Sequence, residues 1–501
     1  MDVDGWNAAH VRAELRGAVQ ELTSRGLKQS AMWAAEMLAG LGSGATTGPA
    51  TEASFPMPAA DTDRTLLAGT YFSLGEYLRC AHALSPNGGL PEGGDNKEIF
   101  LWGYSTYLAG ERRKEEEMCE VTDPLERSQL VNGNLKLLRN VLTAYIASSA
   151  ADGFVLYLFG VVLKEMDSPE AARQVLCEAV SAFPLNWSAW VDLAALCTEQ
   201  ETVASLEGSL PSHWTADFFR GHVLLELQQN EEAVALYTQQ GMGALSSRFP
   251  TSTFVLAQTA MAHYNLRNFD EAQELFESLA ERDPHRLQNM DTYSNILYVK
   301  ECKAELSYLA HSAVRSGKHR PETCCIIGNY YSLKAQHERA VLYFRRALRL
   351  NRRYLSAWTL MGHEYVELKN TPAAVEAYRR AVDLNPRDYR AWYGLGQTYE
   401  ILQMYFYALH YYRKATTLRP YDARMWCALA GCYEQLERIK EAIKCYRRAE
   451  CHKDREGIAA QKRVTQSSVF LSPSLRSPDA LRETPAQRST PRLPQASEAL
   501  C

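Results

Sequence analysis

The sequence predicts an all-α fold, a superhelical solenoid of antiparallel helix pairs, on three observations. Tryptophans recur at Trp358, Trp392 and Trp426, two successive steps of 34. Other residue classes keep that step: Gly362 and Gly396 four residues after their tryptophan, Tyr365, Tyr399 and Tyr433 seven after, Ala374, Ala408 and Ala442 sixteen after, Tyr378, Tyr412 and Tyr446 twenty after. Prolines such as Pro386 and Pro420 follow the second apolar stretch of a copy, where a helix must stop because proline lacks the amide donor and clashes with the preceding turn. A unit this short cannot bury its apolar face alone, so copies must stack.

Taken along the chain, residues 7–40 read as one or two leading helices and the Gly/Thr/Pro/Ala stretch 41–60 as a linker. Irregular repeats follow over 61–250. TLLAGTYFSLGEYLRCAHAL (65–84) and EIFLWGYSTYLAG (98–110) have the look of helix pairs, and the charged run ERRKEEE (111–117) interrupts them as a solvated helix face or loop before the apolar helix 134–147. Leu156, Phe159, Gly160, Leu163, Ala172, Leu176, Ala179 and Pro184 make a full unit, and Trp190, Leu193 and Ala194 open the next, one full step on. There the register slips, because Gly221, Ala233 and Tyr237 mark a unit only 27 residues further along. The second helix of the unit opened by Trp190 is therefore expected to be short or distorted. From 253 to 452 six copies run in unbroken register, and their period and residue classes are the tetratricopeptide pattern. Residues 461–501 hold five prolines, seven serines and one aromatic, Phe470, too little apolar surface to offset the entropy of ordering, and are expected to be disordered. In that tail Ser472, Ser477, Thr484 and Thr490 each precede proline and are phosphorylation candidates.

The composition excludes several function classes. Fifty-four basic against 59 acidic residues give a net charge of −5, without the positive field that phosphate-backbone binding needs, so no nucleic-acid partner is expected. The twelve cysteines include no CxxC pair and no zinc-module spacing, and most fall on apolar helix faces, so they read as small buried hydrophobes and no metal is expected. MDVDGW is acidic where a signal peptide is basic, and the most apolar stretch, GFVLYLFGVVL at 153–163, is half the roughly twenty residues that span a bilayer. No membrane association is expected. No phosphate-binding glycine loop, zinc-protease or nucleophile-elbow motif has supporting context, and His263, His363 and His410 stand isolated. The chain reads as non-catalytic, with no cofactor.

A helical solenoid offers a concave surface lined by the first helix of each pair, helix A. The polar residues between its core positions are the binding candidates: Asn329, His363, Glu364, Glu367, Arg390, Gln397 and Glu400, with Arg424 and Glu434. A clamp for a C-terminal carboxylate needs lysine one residue after the tryptophan position, which here holds Cys325, Thr359, Tyr393 and Cys427. Acidic Glu364, Glu367 and Glu400 suit a ligand bearing arginine, whose guanidinium pairs with a carboxylate through two hydrogen bonds. Glu364 is expected to be a surface charge of this groove.

The strings NMDTYSNILYV (289–299), ETCCIIGNYYSLKAQHERAVLYFRRAL (322–348), AWTLMGHEYVELKN (357–370) and RDYRAWYGLGQTYEIL (387–402) closely resemble the eighth-subunit family of the anaphase-promoting complex, the cell division cycle protein 23 family. The resemblance covers about residues 10–456, and the sequence diverges from the family after about Ala460. It implies a non-catalytic scaffold subunit of a cell-cycle ubiquitin ligase, in nucleus and cytoplasm and at the mitotic spindle. It also implies homodimerisation through the early repeats, neighbouring subunits held by the late ones, and an activator protein bound through an arginine-containing motif near its N-terminus, with Asn329 and Glu364 as the contacts. A tetratricopeptide adaptor or co-chaperone outside the ligase is the alternative.

Overall fold

The computed structural model describes residues 8–41, 63–91, 94–120, 130–148, 151–198, 200–238 and 245–451. Most of the linker stretch, the tail 461–501 and its four candidate phosphorylation sites lie outside these. Helices and short turns make up the described residues, which contain no strand. They form two compact units, one up to Ile296 and one from Leu297 to Cys451, divided within the helix Met290–Val299.

Six helix pairs occupy the regular register, from Thr253–Leu266 with Phe269–Arg282 to Ala423–Gln435 with Ile439–Cys451. The turn inside each pair is made the same way. Arg267, Glu301, Ala335, Lys369, Gln403 and Glu437, again 34 apart, all adopt positive φ between 56° and 69°. A left-handed residue reverses the chain and stops helix A, at a steric cost for any side chain beyond glycine.

Three successive pairs close on a ring. A Cβ on Gly328 would lie 2.5 Å from Phe344, on Gly362 2.6 Å from Tyr378, and on Gly396 2.5 Å from Tyr412. Those rings are at most 1% exposed, so helix A and its partner, helix B, approach as closely as the missing side chain allows. Tyr378 also fills the space at Gly394 of the following pair, 2.5 Å from where its Cβ would be. The tryptophans sit on the connection between pairs: the indole nitrogens of Trp358, Trp392 and Trp426 donate to the carbonyls of Arg352, Pro386 and Pro420 at 3.0, 2.8 and 2.7 Å.

A second periodic contact joins neighbouring pairs. Arg345 donates to the Tyr365 hydroxyl at 2.7 Å, Arg379 to Tyr399 at 2.9 Å and Arg413 to Tyr433 at 2.5 Å. Each step reaches from helix B of one pair to helix A of the next.

The first unit departs from the repeat in three places. The run 111–117 does not break the structure: Asn96–Glu120 is one continuous helix, with the exposed pair Arg112–Glu116 at 3.3 Å four residues apart on its wet side. The second helix after Trp190 is Gln200–Glu207, eight residues with none buried, as the slipped register requires. The leading residues form two helices, Ala8–Ser24 and Lys28–Gly40, and the second is pinned to distant chain. Trp33 stacks on Trp187, centroids 4.6 Å apart, and on Trp214 at 6.0 Å, with the edges of Phe218 and Phe254 against it. Ser30 donates to buried Asn186 at 3.0 Å, and Glu36 pairs at 2.9 Å with Arg286, whose side chain is enclosed.

Two substitutions of opposite sign test the pair geometry. Gly362→Ala pushes a methyl group into a rigid ring and is expected to destabilise the second unit by about 1–3 kcal/mol. Ala335→Gly relieves a left-handed residue and is expected to stabilise it by about 0.5–1 kcal/mol. Thermal midpoints of the full-length variants decide, and a rise for Gly362→Ala contradicts the close approach.

Candidate functional site

The polar row of helix A is built from three consecutive pairs. Asn329 lies on Pro321–Leu333, His363, Glu364 and Glu367 on Leu355–Glu367, and Arg390, Gln397 and Glu400 on Tyr389–Ile401. Asn329, His363 and Gln397 share one register position, each a repeat step from the next, so they mark the same face of successive helices.

These residues divide by surroundings. Glu367 and Gln397 are exposed, Arg390 and Glu400 half-buried, and Asn329 and Glu364 only 3% and 5% exposed. Glu364 is thus not the open groove charge its polarity implies. Ser332, one turn beyond Asn329, donates its hydroxyl to Glu364 Oε1 at 2.7 Å, and His337 Nδ1 stands 2.8 Å from Oε2. Both carboxylate oxygens have a partner from the preceding pair, which is how a carboxylate survives enclosure. The repeat itself carries the signal for this burial, since the same register position holds Thr398 and Cys432 in the next two pairs, both 0% exposed. What the spacing does not contain is Ser332 and His337, whose roles belong to this one joint.

The core tyrosines reach the row from below. Tyr378 places its hydroxyl 2.8 Å from His363 Nδ1, and Tyr412 donates to Glu400 Oε2 at 2.6 Å. His363 keeps contact with solvent, yet burial first and the Arg390 guanidinium second draw its pKa down to about 4, so the ring is neutral at pH 7. Burial and then the Glu364 and Glu367 charges push Tyr378 well above the usual tyrosine range. Arg390 is oriented by a 3.1 Å bond from its own amide to Asp388 and by the Tyr389 hydroxyl 3.4 Å from Nε. The arrangement presents a held carboxylate, an imidazole and a guanidinium along one row. Among the described residues no cluster of three His, Cys, Asp or Glu side chains is placed to hold a metal ion, and no helix is long and apolar enough to cross a membrane. Of the cysteines whose side chains are described, seven are buried, and Cys302 and Cys427 are half-buried.

A family model for anaphase promoting complex subunit 8 / Cdc23 matches residues 10–260, and tetratricopeptide-repeat models match 256–285, 321–354, 362–402, 389–422 and 423–450. The anaphase-promoting complex subunit 8 of Dictyostelium discoideum is 45% identical over 426 residues, covering 73% of this chain and 69% of that one. The chain belongs to the anaphase-promoting complex subunit 8 / Cdc23 family. Subunit 8 of Arabidopsis thaliana is 48% identical over 397 residues, with 72% of this chain and 66% of that one covered. The human cell division cycle protein 23 homolog is 48% identical over 293 residues, 58% and 46% of the two chains. The chain thus spans about two thirds of the plant and amoebal relatives and under half of the human one. A crystal structure titled as the hetero-tetramer Cut9-Hcn1 of the same complex aligns over 91% of this chain and 84% of that one at a TM-score of 0.57 and 17% identity, a likeness of fold.

Enclosure of Glu364 sets this helix-A row apart from a merely charged surface, and it is measurable. Glu364→Lys places an ammonium among Ser332 and His337 and is expected to cost about 3–5 kcal/mol, against less than about 0.5 kcal/mol for Glu367→Lys on the open side. Equal melting temperatures for the two variants contradict the enclosure.

Proposed function

We propose that this chain is a non-catalytic tetratricopeptide subunit of the anaphase-promoting complex, the ubiquitin ligase for which its relatives are named. In this reading it holds neighbouring subunits through its repeats, pairs with a second copy through the early ones, and takes an arginine-bearing segment of an activator protein on the helix-A row. The observation that supports the last part is the Glu364 carboxylate. Ser332 and His337 use one lone pair on each oxygen and fix the carboxylate plane, leaving acceptor capacity for a bidentate guanidinium. Asn329, on the same helix as Ser332, supplies an amide on that side, and the exposed Glu367 adds negative charge one turn beyond Glu364. A co-chaperone role has no comparable support, because Cys325 and Thr359 stand buried where a carboxylate clamp needs lysine.

Glu364→Gln keeps the shape of the side chain and its bond from Ser332 while removing the charge. It is expected to weaken a short arginine-containing activator peptide by about 1.5–3 kcal/mol, tenfold or more in Kd, in calorimetric titration of the full chain. Unchanged affinity in a folded variant removes Glu364 from the site. For the assembly itself, co-purification from mitotic cells is expected to bring down other subunits of the ligase, and light scattering of the isolated chain to give twice the monomer mass. Recovery of chaperones alone supports the adaptor reading instead.

A further inference from the structure

The net charge of −5 conceals a division. Residues 1–296 carry 20 Lys and Arg against 39 Asp and Glu, while residues 297–451 carry 26 against 15. Part of the second unit's excess is organised by the repeat, as basic pairs at one register position on successive B helices: Arg345–Arg346, Arg379–Arg380, Arg413–Lys414 and Arg447–Arg448. Arg345, Arg379 and Arg413 are exposed, and the groups that hold them are the neutral hydroxyls of Tyr365, Tyr399 and Tyr433. A phenol orients a guanidinium without cancelling its charge, so these three cations form a fixed file, one per pair.

Beside the file lies an apolar island that the repeat does not require. Ile401, Met404, Phe406 and Tyr407 are 54%, 43%, 69% and 56% exposed, at the end of helix A, the turn and the first residues of helix B in the third of the last four pairs. One step earlier these positions hold Glu367, Asn370, Pro372 and Ala373, and one step later Gln435, Arg438, Lys440 and Glu441. The pairs on either side therefore fold with polar or small residues where this one exposes four large apolar side chains. The island joins the arginine file directly: Tyr407 stacks on Tyr399 at 5.6 Å, Tyr399 stacks on Tyr411 at 5.3 Å, and the Tyr399 hydroxyl holds Arg379. Oriented arginines next to solvent-exposed aromatics and a methionine are the composition of interface anchors, not of an idle solvated face.

We infer that this helix-B face, centred on Arg379, Arg413, Phe406 and Tyr407, docks an acidic protein segment that carries apolar anchor residues. Charge complementarity selects an acidic occupant, and the island selects one with a large aliphatic or aromatic side chain between its carboxylates. A nucleic acid fits less well, since bases stacked on Phe406 and Tyr407 leave the aliphatic Ile401 and Met404 uncovered. The chemistry differs from that of the helix-A row: this face takes carboxylates, whereas Glu364 takes a cation.

The test uses the full chain and a fluorescein-labelled peptide of glutamates flanking a central leucine–phenylalanine pair, followed by anisotropy at roughly 0.1 M salt. Binding is expected to weaken at least about tenfold in Arg379→Gln combined with Arg413→Gln, and similarly in Phe406→Ser combined with Tyr407→Ser. The peptide with glycine–serine at its centre is expected to bind as poorly, and Arg173→Gln in the first unit to change nothing. Circular dichroism checks that the variants are helical, and if the arginine variant is not, the Phe406/Tyr407 variant carries the decision. Unaltered affinity in either folded double variant, equal weakening by Arg173→Gln, or stronger displacement by an oligothymidylate of equal charge than by unlabelled peptide overturns the inference.

Discussion

The close stacking of three successive pairs depends on an absent side chain facing a ring. Because Gly328, Gly362 and Gly396 have no Cβ, Phe344, Tyr378 and Tyr412 lie flat against the backbone of helix A, and the two helices of a pair can come no closer and need stand no further apart. Tyr378 then meets Gly394 of the next pair, so one ring sets both the spacing inside a pair and the spacing between pairs. The hydroxyl at the far end of the ring is a by-product of that placement. It emerges in the polar row, where Tyr378 meets His363, Tyr412 meets Glu400 and Tyr446 meets Glu434 at 3.0 Å. Core and site are therefore one structure, and the first of these pairs, which has Phe344 and no hydroxyl, fills the equivalent place differently, with Ser332 and His337 turned to Glu364.

What the sequence made legible follows from this. Steps of 34 are imposed by contacts between neighbours, and neighbours in a stacked array are close in sequence, so helices, turns and the slipped unit near Trp190 all leave a local trace. Glu364 illustrates where the trace ends. Its register position reads as buried once Thr398 and Cys432 are compared with it, yet its partners are two residues that recur nowhere else in the row. The charged run 111–117 shows the reverse case: a dense block of like and unlike charges looks like an interruption, but glutamate, lysine and arginine are good helix formers and continue Asn96–Glu120 along its solvated side.

Charge shows how a whole-chain total loses information. A sum near zero describes a molecule with no field only when both signs are mixed throughout, and here they are segregated, 39 acidic against 20 basic residues before Leu297 and 26 basic against 15 acidic between there and Cys451. The fold uses this excess sparingly for its own stability. Arg345, Arg379 and Arg413 are bound to phenols instead of carboxylates, a choice that joins pairs without the desolvation an enclosed ion pair demands. It also leaves the charge expressed at the surface, so the contact that fastens each pair to the next displays a cation at the same point.

The first unit answers a harder problem. In a stacked array stability comes from each unit and its interfaces with the two beside it, so a unit with a defective second helix weakens both of its joints. Gln200–Glu207 has no fully buried residue and packs only Val203 and Leu206 partly against the core, so the helix before it, Trp187–Leu196, lacks the full partner face that a regular pair provides. The leading helix Lys28–Gly40 supplies an aromatic there: Trp33 lies parallel to Trp187 at an interplanar angle of 8° and touches Trp214 and Phe218 beyond the defect. A contact between the first helices and the middle of the unit replaces the local one, at a loop-closure cost that grows only as the logarithm of the length enclosed, while an aromatic cluster of this size recovers several kcal/mol of burial. The irregular stretch is thus held by the beginning of the chain, and the break in period that makes it hard to read is the same feature that gives the leading helices something to bind.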